Sequence, residues 1–178
     1  ALSSAARQMN LSRHSLALGI LCGSAIVLSG CNFPESSSSS GDCSSRKQSI
    51  EKMEAELFEA SAPVNPSLRT SLMKSYADFS NHCHDAPETP EFLFRRADLL
   101  RSAGQYQEAM TQLRDIHDHH KDFDKRPICA FLVGFIAEVE LNDRKQARKI
   151  YEQVIELHPE SDAAVWANQS IENLTVLP

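Results

Sequence analysis

The stretch Gly104-Gln105-Tyr106-Gln107-Glu108-Ala109-Met110-Thr111-Gln112-Leu113-Arg114-Asp115-Ile116 decides the fold. A glycine ends whatever precedes it, an aromatic residue opens a new segment, and a small alanine follows three residues on. Tyr106, Ala109, Met110, Leu113 and Ile116 then fall at helical spacing, which makes one face of the segment apolar. A second stripe of the same kind runs through Ala147, Ile150, Tyr151, Val154 and Ile155. Ala109 and Ala147 are 38 residues apart, and His120-Lys121 recurs as His158-Pro159 at the same step. A step of that size between amphipathic segments predicts a stack of helix pairs.

Outward from that stretch the spacing stays helical. Ile50, Met53, Leu57 and Phe58 form one stripe, and Leu68, Leu72, Tyr76 and Phe79 another. Leu93, Ala97 and Leu100 form a third. Between Ile128 and Leu141 the segment is apolar almost all round, through Phe131, Leu132, Val133, Phe135, Ile136 and Val139. Such girth predicts a helix buried between neighbours. Ala163 to Leu174 closes the series with Trp166, Ala167, Ile171 and Leu174. Asn65-Pro66 and Thr89-Pro90 read as a capping residue before a proline in the first helical position. Pro127 and Ser161-Asp162 mark two further starts, and Gly104 and Pro159 mark stops. Connections this short make consecutive helices antiparallel neighbours. The expectation is an all-α solenoid of about seven helices over residues 46–174, with no strand.

Composition narrows the function. The chain has 178 residues, 42% apolar and 24% charged, which suits one globular domain with extras. Its net charge of −6 argues against nucleic acid, whose binders neutralise phosphates with cations. There is no glycine-rich phosphate loop after a strand and no nucleophile elbow, so neither an enzyme nor a bound cofactor is expected.

The head of the chain reads as an address. Arg7, Arg13 and His14 precede an uncharged run from Leu16 to Leu28, the pattern of an export leader. That run rises only about 20 Å as a helix, short of the roughly 30 Å of a bilayer core. Met9 opens a better-proportioned leader than Ala1 does. Leu28-Ser29-Gly30-Cys31 resembles a bacterial lipobox, which would make Cys31 the lipid-modified N-terminus after removal of residues 1–30. Residues 31–45 include the unbroken serines Ser36 to Ser40 and read as a flexible tether.

Gly104, Tyr106, Ala109, Leu113 and Ile116, with Ala147, Tyr151, Val154 and Pro159, resemble the tetratricopeptide repeat. The small alanine lets two helices cross closely and the aromatic fills the space beside it. Leu93 stands where the signature tryptophan would be, and Asn142-Asp143 where the turn glycine would be. The pair within 46–83 reads as a degenerate third unit. With the lipobox, the chain resembles the short repeat lipoproteins of Gram-negative envelopes, including those of outer-membrane assembly and secretion machines. The resemblance implies a scaffold for protein–protein contacts, lipid-anchored and facing the periplasm, and Asn32 after the lipobox, in place of the aspartate that often retains lipoproteins at the inner membrane, favours the outer membrane. A chaperone for exported chains and an accessory subunit of an envelope enzyme are the alternatives. It also implies that the first helix of each pair lines the concave face. That places Glu91, Phe94, Asp98, Arg101, Phe131, Phe135 and Glu138 against a protein or peptide partner, with plain core packing as the alternative for the two phenylalanines.

Histidines and cysteines complete the reading. His82, Cys83 and His84, with His117, His119 and His120, could suggest zinc or copper. But His82, His120 and His158 recur at one step, each at the end of a second helix, where a cation or dipole is favoured. No metal site is expected. Of the five cysteines, Cys22 leaves with the leader and Cys31 takes lipid. Cys43 and Cys83 are equidistant from a turn centred near residue 63, so an antiparallel hairpin sets them side by side. Cys43–Cys83 is the favoured pair, Cys83–Cys129 the competitor, and no disulfide the third option.

Overall fold

A computed structural model of the chain describes residues 38–59 and 65–176. The leader, Cys31 and the first part of the tether lie outside the described residues. The described residues fall in one compact unit, Ser36–Pro178. They form seven α-helices: α1 (Ser38–Glu59), α2 (Pro66–His82), α3 (Thr89–Ser102), α4 (Tyr106–His119), α5 (Arg126–Phe135), α6 (Arg144–Leu157) and α7 (Asp162–Val176). A π-helical turn, Ile136–Glu140, continues α5. Among the described residues there is no strand, and none of the helices is long and apolar enough to cross a membrane. Each helix packs on the next in sequence, and α5 also touches α7. This is a tetratricopeptide-like helical solenoid.

The helix starts follow local chemistry. Asn65 Oδ1 accepts from the Ser67 amide at 3.0 Å, with Pro66 opening α2. Asp143 Oδ1 accepts from the Gln146 amide at 2.9 Å and caps α6. At α3 the capping expectation is corrected. Glu88 occupies the cap position, and Thr89 is already helical. The buried Thr89 hydroxyl donates instead to the Cys83 carbonyl at 2.6 Å, tying α3 to the end of α2. Gly104 turns the chain between α3 and α4 with φ +78°. Asn142 takes the equivalent left-handed conformation, φ 52°, before α6. Asparagine tolerates that region better than most side chains, so the missing glycine is replaced in kind.

The tether boundary also moves. Residues 38–45, read as tether, belong to α1. Cys43 is disulfide-bonded to Cys83, with Cα atoms 5.9 Å apart, so this turn is fastened to the end of α2. Arg46 Nε reaches Asp42 Oδ2 at 2.8 Å, and the Ser45 hydroxyl donates to the Asp42 carbonyl, which closes the turn. Cys129 is buried as a free thiol whose pKa burial pushes up to about 12. A thiol that resists ionisation is a poor nucleophile and a poor disulfide partner.

Two apolar clusters hold the stack. Ile50, Leu57, Leu72, Tyr76 and Phe79 from the first hairpin surround Phe92 and Leu99 of α3. Phe92 stacks on Tyr76 and meets Phe79 edge-on. The opposite side of α3 gives Leu93, Ala97 and Leu100 to a larger cluster with Ala109, Leu113, Val133, Ala147 and Tyr151. Helix α3 is therefore buried on two sides.

The all-round apolar segment behaves differently from the expectation of full burial. Cys129, Val133, Ile136 and Ala137 are buried, but Val139 is 56% exposed. Val139 falls on the flank of the face carried by those residues, and the wider winding of the π turn shifts it further round. The Leu141 amide donates back to the Ile136 carbonyl, five residues away.

Gly134 explains how closely α5 and α6 pack. A methyl group placed there would lie 2.7 Å from Tyr151 Cε1 and 2.8 Å from Cδ1. Tyr151 is fully buried and its hydroxyl donates to Glu138 Oε2 at 2.7 Å, so the ring has little room to retreat. Gly134→Ala should therefore destabilise by about 1–2 kcal/mol, although alanine is the better helix former by about 1 kcal/mol. A urea midpoint unchanged or raised in that variant would show the ring yielding freely.

Candidate functional site

Glu91, Phe94, Asp98 and Arg101 follow helical spacing along one face of α3. They line a cleft of about 190 Å³ together with Leu132 of α5 and Ile136 of the π turn that continues it. Leu113 of α4 and Tyr76 of α2 contribute to its floor. The four α3 positions thus share one site. Phe131, Phe135 and Glu138 do not reach it. Phe131 stacks on Tyr151 at 5.4 Å and meets Trp166 of α7 at 5.6 Å, with Phe135 6.3 Å away. Glu138 accepts from Tyr151. These three belong to a second cluster, between α5, α6 and α7, whose outer member Trp166 is 40% exposed. Leu132 and Ile136 stand in their place on the α5 wall of the cleft.

The rim of the cleft is charged on both sides and internally paired. Glu91 accepts from Arg95 Nε at 3.1 Å and from Lys125 Nζ at 2.7 Å. Burial alone would raise the Glu91 pKa, but the two cations outweigh it and hold the carboxyl below its usual range. Lys125 Nζ also lies 5.2 Å above the Phe94 ring, and Phe123 meets Phe94 edge-on. Arg95 reaches both Glu54 oxygens, at 2.8 and 2.9 Å, and so fixes α3 to α1. The Tyr76 hydroxyl donates to the same Glu54 carboxylate; burial first, then that carboxylate, raises the phenol pKa. Arg101 spans Asp98 and Glu140, each at 3.3 Å. Glu140 also sits beside Tyr106 and raises its pKa by its charge and a hydrogen bond. Asp98 is the loosest member, with its side chain 66% exposed.

A cavity this small sits below the 300–1,000 Å³ typical of sites for cofactors and drug-sized ligands. An apolar floor under an ion-paired rim suits one large side chain of a protein partner. Among the described residues, no group of three or more His, Cys, Asp or Glu is placed to hold a metal ion. His82 ends α2, and His120 and His158 follow the last residues of α4 and α6.

The tetratricopeptide repeat model matches residues 91–122 and 131–161. The chain carries two such repeats. The first covers α3 and α4, and the second runs from within α5 through α6. Tetratricopeptide repeats generally mediate protein–protein interactions and are typically non-catalytic scaffolds, and the α3–α5 cleft lies between the first helices of these two. No curated protein matches the chain.

Lys125 and Glu140 carry no signal in the sequence, and Leu132 and Ile136 enter it only as members of the all-round apolar segment. Leu132 and Ile136 are four apart, as partners on one helix face must be. That signal was hidden because their helix is apolar on every face, so no stripe fixes its phase. Lys125 lies in the connection before α5, where periodicity says nothing.

Proposed function

We propose that this chain is a lipid-anchored interaction scaffold of a bacterial cell envelope, which receives an apolar side chain of a protein partner in the α3–α5 cleft. The observation that carries the binding part is the cleft itself: an apolar floor between two repeats, ringed by Glu91, Asp98 and Arg101. The anchoring part rests on the basic leader and on Leu28-Ser29-Gly30-Cys31. Residues 31–37 would then link lipid to the first helix. An outer-membrane assembly or secretion complex is the setting the lipoprotein resemblance implies.

Crosslinking in cells, through a photoreactive phenylalanine analogue in place of Phe94 in the cleft, tests the binding part. A single stoichiometric partner supports a scaffold, and a broad smear of clients would instead mean chain capture. Asp98→Lys should lower the yield of that complex severalfold while stability changes by less than about 0.5 kcal/mol, because exposed charges add little to folding. If the variant unfolds, Asp98 is structural and the cleft assignment falls.

The anchor is tested separately. Cys31→Ser should leave uncleaved precursor or move the protein from the membrane to the soluble fraction. Two or three acyl chains hold a protein stably, whereas one holds it marginally. Unaltered processing and membrane partition in Cys31→Ser would remove the lipid from the reading.

A further inference from the structure

We propose that His117 and His158 form a proton-operated latch between the two repeats, closed through the first added proton and opened by the second. His117 lies in the last turn of α4, and His158 follows the last residue of α6. Their Nε2 atoms are 2.9 Å apart, and the rings meet edge-on with centroids 5.2 Å apart. The His117 side chain is only 13% exposed.

Tautomers follow from the neighbours. His117 Nδ1 lies 2.8 Å from Asp118 Oδ1. An ionised carboxylate only accepts, so that nitrogen carries the hydrogen. Nε2 of neutral His117 is then bare, and it accepts from the Nε2–H of His158. A first proton adds at Nδ1 of His158 and leaves the bond in place, because its Nε2–H still donates, although burial disfavours the charge. A second proton has one place left, Nε2 of His117, which is the acceptor of the bond. Protonation there sets two N–H groups head to head at the observed separation and puts positive charge on both touching rings. The link between α4 and α6 is then repulsive.

The surroundings bias the steps without replacing them. Asp118 and Arg114 of α4 and Glu156 of α6 line, with His117, a cleft of about 350 Å³ against Ala130 and Val133 of α5. Arg126 at the start of α5 donates from Nε to the His117 carbonyl at 2.6 Å. Burial first, then His117 and Arg126, hold His158 below the ordinary imidazole range. A base whose folded pKa is depressed withdraws stability as the pH falls through its unfolded value, so the latch weakens toward acid. Opening it would loosen the seam between the repeats from the α4–α6 side.

The test is a ring-nitrogen NMR titration of the histidine-labelled protein from pH 8 to 4.5. At pH 8 we expect His117 as the Nδ1–H tautomer and His158 as the Nε2–H tautomer. On acidification the pair should titrate in two steps more than about one pH unit apart. Across the second step, amide protection at residues 116–120 and 154–158, corrected for intrinsic exchange, should fall at least tenfold. In His158→Asn that loss of protection should vanish. Two rings titrating independently in the ordinary range would overturn the latch, as would protection lost equally in the variant. The wild-type titration decides the matter even where the variant folds poorly.

Discussion

Reducing the Cys43–Cys83 disulfide should lower stability by about 4 kcal/mol on the chain-entropy model. The bridged cysteines are 40 positions apart, and closing a loop of that length removes much of the freedom of the unfolded chain. The loss should concentrate in the first hairpin, which is fastened at its open end by the bridge, by Thr89 on the Cys83 carbonyl, and by Lys47 on Glu88 at 2.6 Å. The pKa of Glu88 is lowered and that of Lys47 raised, mainly by their shared hydrogen bond, but both groups keep contact with solvent and their ion pair alone holds little. Urea unfolding with and without reductant measures the difference. Equal midpoints would mean that packing of Ile50, Leu72 and Phe79 on Phe92 suffices without the covalent link.

Replacing Ala147 with phenylalanine should cost about 3 kcal/mol or more, toward the upper end of overpacking effects. Ala147 is fully buried in the larger cluster, as is its counterpart Ala109 in the other repeat. A ring at that crossing has to push α6 away from its neighbours or leave its rotamer. For a domain of this size the melting temperature should drop by about 10 °C. Retained stability would show that the crossing can widen, and the small-residue account of the repeat would fail with it.

The fold was legible because helix spacing and turn residues agree along most of the chain. Tyr106, Ala109, Leu113 and Ile116 mark one face without ambiguity, and so do Ala147, Tyr151 and Val154. The spacing of Cys43 and Cys83 about a single turn was legible for the same reason, since an antiparallel hairpin converts sequence symmetry into proximity. The cleft was legible on one wall only. The tetratricopeptide resemblance places Glu91, Phe94, Asp98 and Arg101 along one face of α3, and all four line the cleft. The same resemblance places Phe131 and Phe135 on the concave face, and an all-apolar helix offers no stripe to test that against core packing. Packing on Tyr151 and Trp166 decides it in the folded chain. The π turn was hidden as well, because no residue in Ile136–Glu140 breaks an α-helix by its own preference. The meeting of His117 with His158 depends on how two distant helix ends converge, which spacing within either helix does not report.

The two buried sides of α3 have a practical consequence for solubility. Phe92 and Leu99 are buried in the cluster formed with the first hairpin. A chain trimmed to the two matched repeats would present that strip to water beside the exposed rim of the cleft. End units of helical stacks keep them soluble by showing a polar outer surface. The hairpin of α1 and α2 serves as such an end plate, and cutting it away would leave the remaining repeats prone to stick to one another through Phe92 and Leu99.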